Sequence, residues 1–251
     1  MVWSACGSFG PASTSLHKAG EVSIVTQQGT DHEFPRRATD IEAMADAGAS
    51  AVEIWGRCGT SVLLPEEYRY IAAAAPKRRA EFATGRFCAR LALERFALGS
   101  AALLVDPDRA PCWPPGILGS ITHTDGYCAV VVASEKNLRG VGLDAEIVRS
   151  VELALAPQIL TDNEMRRLVN RPLATQQISL ALAFSAKEAV FKCQFPMTRS
   201  WIDFREVEIS AERGRFIVNG GSAVNLYPDL SRLRGCYQLR QGLVITTATI
   251  N

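Results

Sequence analysis

Gly-Val-Gly-Leu-Asp-Ala-Glu (140–146) sets two carboxylates two residues apart in an alternating run. Val141, Leu143 and Ala145 alternate with Gly142, Asp144 and Glu146. Successive side chains of a strand point to opposite faces, so Asp144 and Glu146 share one face and the apolar set the other. Two neighbouring carboxylates repel unless a cation sits between them, and hard oxygen donors suit Mg²⁺. Taken alone, the pattern also describes a strand edge with two solvated acids. A third acid lies in Phe-Ser-Ala-Lys-Glu-Ala-Val-Phe-Lys (184–192). Phe184, Glu188 and Phe191 fall at i, i+4 and i+7, one face of a helix. A carboxylate between two phenylalanines on a core-facing stripe needs a partner, and a metal shared with Asp144 and Glu146 would provide it. A surface Glu188–Lys192 pair at i, i+4 is the plain alternative.

Basic residues cluster earlier. Lys77, Arg78, Arg79, Arg86, Arg90 and Arg95 crowd one helical segment, with Arg79, Arg86 and Arg90 close to one stripe. Such a stripe is either a solvated face or a phosphate-binding wall, since guanidinium pairs bidentately with phosphate oxygens. The loop from Asp106 to Pro115 contains four prolines that fix its course, and it offers Arg109 and Trp113 to a ligand or to loop packing. His123 stands at a strand end beside Asp125-Gly126, in a structural or a binding role.

The elements that must position these groups follow from periodicity and breakers. Ala51 to Trp55 reads as a strand ended by Gly56. Pro65 opens a helix that runs through Ala75 and stops at Pro76. A second helix spans Lys77 to Leu98, with Gly99 ending it. Gly119 to Thr124 and Tyr127 to Ala133 form a hairpin around Asp125-Gly126. Helices follow over Val151 to Leu160, shaped by Pro157, and from the Thr161–Glu164 capping box to Val169. A long helix runs from Ala174 to Phe195, before Pro196. Val207 to Ser210, Arg215 to Val218, Tyr237 to Arg240 and Leu243 to Ile250 read as antiparallel strands that complete a sheet. In the first 48 residues, only a short strand at Val22 to Val25 and a helix at Asp40 to Asp46 stand out.

Composition bounds the rest. The chain has 251 residues, 47% apolar and 21% charged, enough for one large domain or two small ones. A net charge of +1 creates no global field for nucleic acid or membrane. The cysteines at 6, 58, 88, 112, 128, 193 and 236 show no Cys-x-x-Cys and no zinc spacing, so most read as small buried residues in a reducing compartment. The N-terminus lacks a secretory pattern, and no run approaches the ~18 apolar residues of a membrane span. A cytoplasmic protein is expected.

The motifs occur together and in order, and on them the sequence resembles a 4′-phosphopantetheinyl transferase of the larger type that serves nonribosomal peptide, polyketide and siderophore synthases. The residues that carry the resemblance are 78–90, Arg-Ala-Pro-Cys-Trp-Pro (109–114), Gly-Ser-Ile-Thr-His (119–123), 140–146 and 184–192, within roughly residues 60 to 210. The resemblance implies an α+β fold of two similar halves related by a pseudo-twofold axis. It places an N-terminal segment at 1–48, a first half on the nucleotide side at 49–135, and a second half with metal and catalytic helix at 136–251. It implies transfer of the phosphopantetheine arm of coenzyme A to a serine of an apo carrier protein, with release of 3′,5′-ADP, by a monomer needing neither nucleic acid nor membrane. Asp144, Glu146 and Glu188 would be Mg²⁺ ligands. Arg78, Arg86, Arg109 and His123 would contact CoA phosphates. Lys187 and Lys192 would lie near the diphosphate, Lys192 in a catalytic role, and Glu188 would be the base. Two other readings share these residues: a metal-dependent diphosphate hydrolase, and a CoA-binding module without turnover.

Overall fold

The computed structural model describes residues 35–45 and 48–251. The short strand expected at Val22 to Val25 lies outside the described residues. Two antiparallel sheets form the frame. The first holds β1 (Arg36–Arg37), β2 (Ser50–Trp55), β3 (Ile117–Thr124) and β4 (Tyr127–Ser134), in the order β1-β2-β4-β3. The second holds β5 (Gly140–Ile147), β6 (Glu208–Glu212), β7 (Arg215–Gly220), β8 (Arg234–Arg240) and β9 (Leu243–Ile250), in the order β5-β9-β8-β7-β6. The β3–β4 hairpin turns at Asp125-Gly126, where Gly126 has φ 73°.

The sheets meet edge to edge at β3 and β5, without a backbone ladder. The Leu143 amide donates to Ser120 Oγ at 2.9 Å, and the Ala145 amide donates to Thr122 Oγ1 at 3.0 Å. An unpaired strand edge inside a protein must satisfy its N–H groups somehow; here two hydroxyls do it. Below this seam, Val141, Leu143 and Ala145 join Ala51, Ala129, Val131, Leu243 and Ile245 in one core. The apolar face of β5 therefore packs across both sheets, and α1 (Thr39–Ala45) covers it through Ile41.

The segment expected to be one helix from Pro65 to Ala75 is a single turn, α2 (Pro65–Tyr68), followed by turns. Pro76 does not stop a helix; it opens one, α3 (Pro76–Leu93), at a first-turn position where proline's missing N–H is harmless. α3 ends before Leu98: its last turn tightens to 3₁₀ over Glu94–Phe96, and Ala97, not Gly99, adopts the left-handed conformation. Cys88, Ala89 and Leu93 bury α3 against Val52, Ile54, Val130 and Val132.

In the second half, Val151 to Leu160 is a 3₁₀ turn and a short helix, α4 (Ala156–Ile159). α5 (Asp162–Val169) starts at the expected Thr161–Glu164 capping box. α6 (Leu173–Thr198) runs past Pro196, which removes one helical hydrogen bond near its end, and closes with Arg199 left-handed and its amide on the Phe195 carbonyl at 2.8 Å. α7 (Ser222–Leu226) lies between β7 and β8. α6 lies directly on β5. A Cβ at Gly142 would stand 1.9 Å from the Ala189 carbonyl oxygen, and one at Gly140 2.7 Å from that of Cys193. The two glycines and the two acids share one face of β5, so the absence of side chains at 140 and 142 sets how closely α6 approaches 144 and 146.

Candidate active site

That approach brings Lys192 across to Asp144. The ammonium donates to Asp144 Oδ1 at 2.6 Å and to the Leu143 carbonyl at 3.3 Å. Its partner is thus on β5 and not Glu188 one turn back on α6. Burial alone would lower the Lys192 ammonium; Asp144, with Glu188 and Glu146 beyond it, holds it above its ordinary value instead. Thr122 Oγ1 contacts Asp144 Oδ1 at 3.3 Å. Asp144 is buried, and its Oδ2 has no hydrogen-bond partner among the described residues.

Glu146 and Glu188 are half-buried, and their carboxylates make no hydrogen bond among the described residues. Burial, then the Asp144 carboxylate, pushes Glu146 up to about 8. Burial raises Glu188 as well, with Asp144 adding to it. Among the described residues, no three such side chains are drawn together as a finished metal cage. The donor set nevertheless suits a hard cation: three carboxylates that disfavour one another's charge, two of them unbonded and the third with an orphaned buried oxygen.

A second, basic group lies at the start of α3 and the end of β3. Arg78 and His123 approach within 3.2 Å, with Glu81 within 4.0 Å of each. Burial lowers His123, reinforced by Arg78 and Lys192 and opposed by Glu81 and Asp144, so the basic and acidic groups lie within electrostatic reach of each other. Burial and the nearby Arg109 lower Arg78. Arg86 is buried, donates Nε–H to the Leu103 carbonyl at 2.7 Å and lies 4.1 Å over the Phe82 ring. Burial lowers its guanidinium to about 10, and it has no ion pair among the described residues. Arg90 leaves the expected basic stripe: it pairs with buried Glu67 at 2.7 Å and donates to the Val62 carbonyl.

Lys187 is not in this site. It is buried on another side of α6, where its ammonium donates to Ile159 O at 2.8 Å, Glu164 Oε2 at 2.5 Å and Phe204 O at 2.8 Å. All three N–H donors are used, which leaves none for a diphosphate. Lys187 and Lys192 lie in one motif, and five residues of helix turn them to different faces, but the motif does not say which face meets the acids. Lys187→Ala is expected to cost about 3–5 kcal/mol, since it strands the buried Glu164 charge; urea denaturation would measure it. A stable variant that cannot bind its ligand would return Lys187 to the site.

Between the halves lies a cleft of about 890 Å³, lined by Arg109, Trp113, Ser120, Phe191, Lys192 and Trp201 among others. Trp113 lies flat on β3 because Gly119 has no side chain; a Cβ there would be 2.5 Å from the indole. Thr122, Gly140 and Gly142 lie inside the quoted motifs, but no role attached to them from sequence. The available signal was Gly-x-Gly on the same strand face as Asp-x-Glu, small residues where a helix has to approach.

Comparison with known proteins adds an independent line. Residues 66–133 match the model of a 4′-phosphopantetheinyl transferase N-terminal domain, and residues 140–243 match that of the 4′-phosphopantetheinyl transferase superfamily. The 4′-phosphopantetheinyl transferase PptT of Mycobacterium tuberculosis is 37% identical over 74% of this chain and 86% of its own length. The corresponding enzyme Svp of Streptomyces mobaraensis is 34% identical over 76% and 79%. Enterobactin synthase component D of Escherichia coli is 35% identical over 54% and 64%. Among solved structures, holo-[acyl-carrier-protein] synthase of Neisseria meningitidis is 22% identical, with a TM-score of 0.39 over 45% of this chain and 98% of that one.

Proposed function

The chain belongs to the 4′-phosphopantetheinyl transferase superfamily, and from that membership we propose that it transfers the 4′-phosphopantetheine arm of coenzyme A to a serine hydroxyl of an apo carrier protein. The observation that carries the reading is an acidic group with an orphaned oxygen at Asp144, reached by Lys192, beside a separate arginine–histidine group. The first suits a diphosphate being cleaved and the second a phosphate that is only held.

Residues 49–135 form the nucleotide side and 136–251 the catalytic side, with 1–48 unassigned. Asp144, Glu146 and Glu188 would hold Mg²⁺, which when bound neutralises diphosphate oxygens. Arg78, Arg86, Arg109 and His123 bind CoA phosphates. Arg86 fits this role because its Nε and its ring contact fix the guanidinium plane while its terminal nitrogens have no hydrogen bond to a described residue. The serine oxygen attacks the phosphorus that bears the pantetheine arm, and the diphosphate P–O bond breaks to release 3′,5′-ADP. Glu188 takes the serine proton. The Lys192 ammonium, now on Asp144, steadies charge on the leaving oxygen. The carriers are those of nonribosomal peptide, polyketide or siderophore assembly, and the chain acts as a cytoplasmic monomer.

Intact-mass measurement tests the reaction. Protein, CoA and Mg²⁺ are mixed with an apo carrier protein, with EDTA as control. A Mg²⁺-dependent gain of one phosphopantetheine arm is expected. Release of 3′,5′-ADP with no carrier modified would favour a hydrolase, and CoA binding without either product a binding module. Arg86→Ala is expected to weaken CoA binding roughly tenfold by calorimetry; unchanged affinity would remove Arg86 from the phosphate site.

A further inference from the structure

The loop that carries Arg109 is closed on itself. Val105 bridges Pro111, the Asp106 amide donates to the Ala110 carbonyl at 2.9 Å, and the Ala110 amide donates back to Asp106 Oδ1 at 2.7 Å. The other Asp106 oxygen accepts from Arg199, and Asp108 accepts from the same guanidinium nitrogen at 3.4 Å. Arg199 is the left-handed residue that ends α6, so this ion-paired link joins the first half to the second along the cleft that both residues line. Asp106 is half-buried, with its side chain 14% exposed. Isolated surface pairs contribute little, but one guanidinium on two carboxylates is a small network.

At the tip, Arg109 has φ 68°, and its side chain has no hydrogen bond or ion pair among the described residues. It lines the cleft together with Asp106, Asp108 and Arg199. We propose that Arg199 is a positioning residue: through Asp106 and Asp108 it keeps Arg109 at the cleft, so that a CoA phosphate meets a guanidinium already in place. This rests on the CoA-dependent transfer proposed above.

The test compares wild type, Arg199→Ala, Arg199→Lys, Asp106→Asn and the Arg199→Ala/Asp106→Asn double variant. CoA affinity is measured by calorimetry with Mg²⁺ present and no carrier, and KM and kcat with an apo carrier. Asp106→Asn keeps the oxygen that accepts from Ala110. Arg199→Ala is expected to raise Kd and KM for CoA roughly three- to tenfold, with kcat at saturating CoA within about twofold. Arg199→Lys should recover most of the loss, Asp106→Asn should reproduce it, and the double variant should be no worse than either single one. Wild-type affinity in Arg199→Ala overturns the proposal. So do additive effects of the two substitutions, which would mean that Arg199 touches CoA itself. Wild type that fails to bind CoA would instead overturn the transfer reading and remove the premise with it.

Discussion

Glu188→Ala is expected to lower carrier modification by roughly 10²- to 10³-fold or more while leaving the protein as stable as wild type, or slightly more so. Loss and stability separate here because the Glu188 carboxylate is half-buried yet bonds to no described residue. Its removal strands no donor. It also ends the burial cost that holds Glu188 above the usual carboxylate range and the repulsion from Asp144, which offset the lost attraction of Lys192. A residue that served the fold would show the reverse. Asp144→Ala should be equally inactive but less benign, because it takes from Lys192 its 2.6 Å acceptor. Steady-state kinetics with thermal unfolding of the same preparations reads both effects. Wild-type-like transfer by Glu188→Ala would end the assignment of Glu188 as metal ligand and base.

Gly142→Ala adds a single methyl group and is expected to displace a whole helix. The new Cβ would lie 1.9 Å from the Ala189 carbonyl oxygen and 2.8 Å from the Cys193 amide nitrogen. Both are helix backbone, which cannot swing aside as a side chain can, so α6 must lift from β5. Overpacking of this kind costs about 1–3 kcal/mol and sometimes more. The same lift carries Lys192 and Glu188 away from Asp144 and Glu146, and a displacement of about 1 Å can cost 10²-fold in rate. Gly142 has no positive φ, so the sensitivity comes from the approach of the helix and not from backbone strain. A variant with unchanged melting temperature and unchanged transfer would show that α6 does not pack on β5 in this way.

Legibility from sequence followed the range of the interaction. Alternation placed Asp144 and Glu146 on one strand face, and Thr161-x-x-Glu164 announced a helix start, because a two-residue period and a capping box are local. Asp125-Gly126 likewise specified its hairpin through the turn conformation it permits. Proline was read with the right strength and the wrong sense at Pro76 and Pro196: a missing N–H forbids neither a first turn nor the end of a long helix. Lys187 and Lys192, five residues apart, illustrate the limit. Both belong to the same motif, and 500° of helical rotation separates their directions. What each ammonium meets, Glu164 on α5 or Asp144 on β5, depends on contacts 23 and 48 residues away in the chain.

Local period thus sufficed for the strand that carries Asp144 and Glu146 and for the helix that carries Glu188, and the motifs on them for the family resemblance, since these are written in short spacings. Tertiary structure alone decided which charges are committed and which are offered. Arg90 and Lys187 are consumed by buried partners, and Arg86 is held at one nitrogen. Asp144 keeps an oxygen for which the described residues offer no donor. A burial cost and a partner's distance exist only once distant segments have packed, and those two quantities separate a structural ion pair from a site.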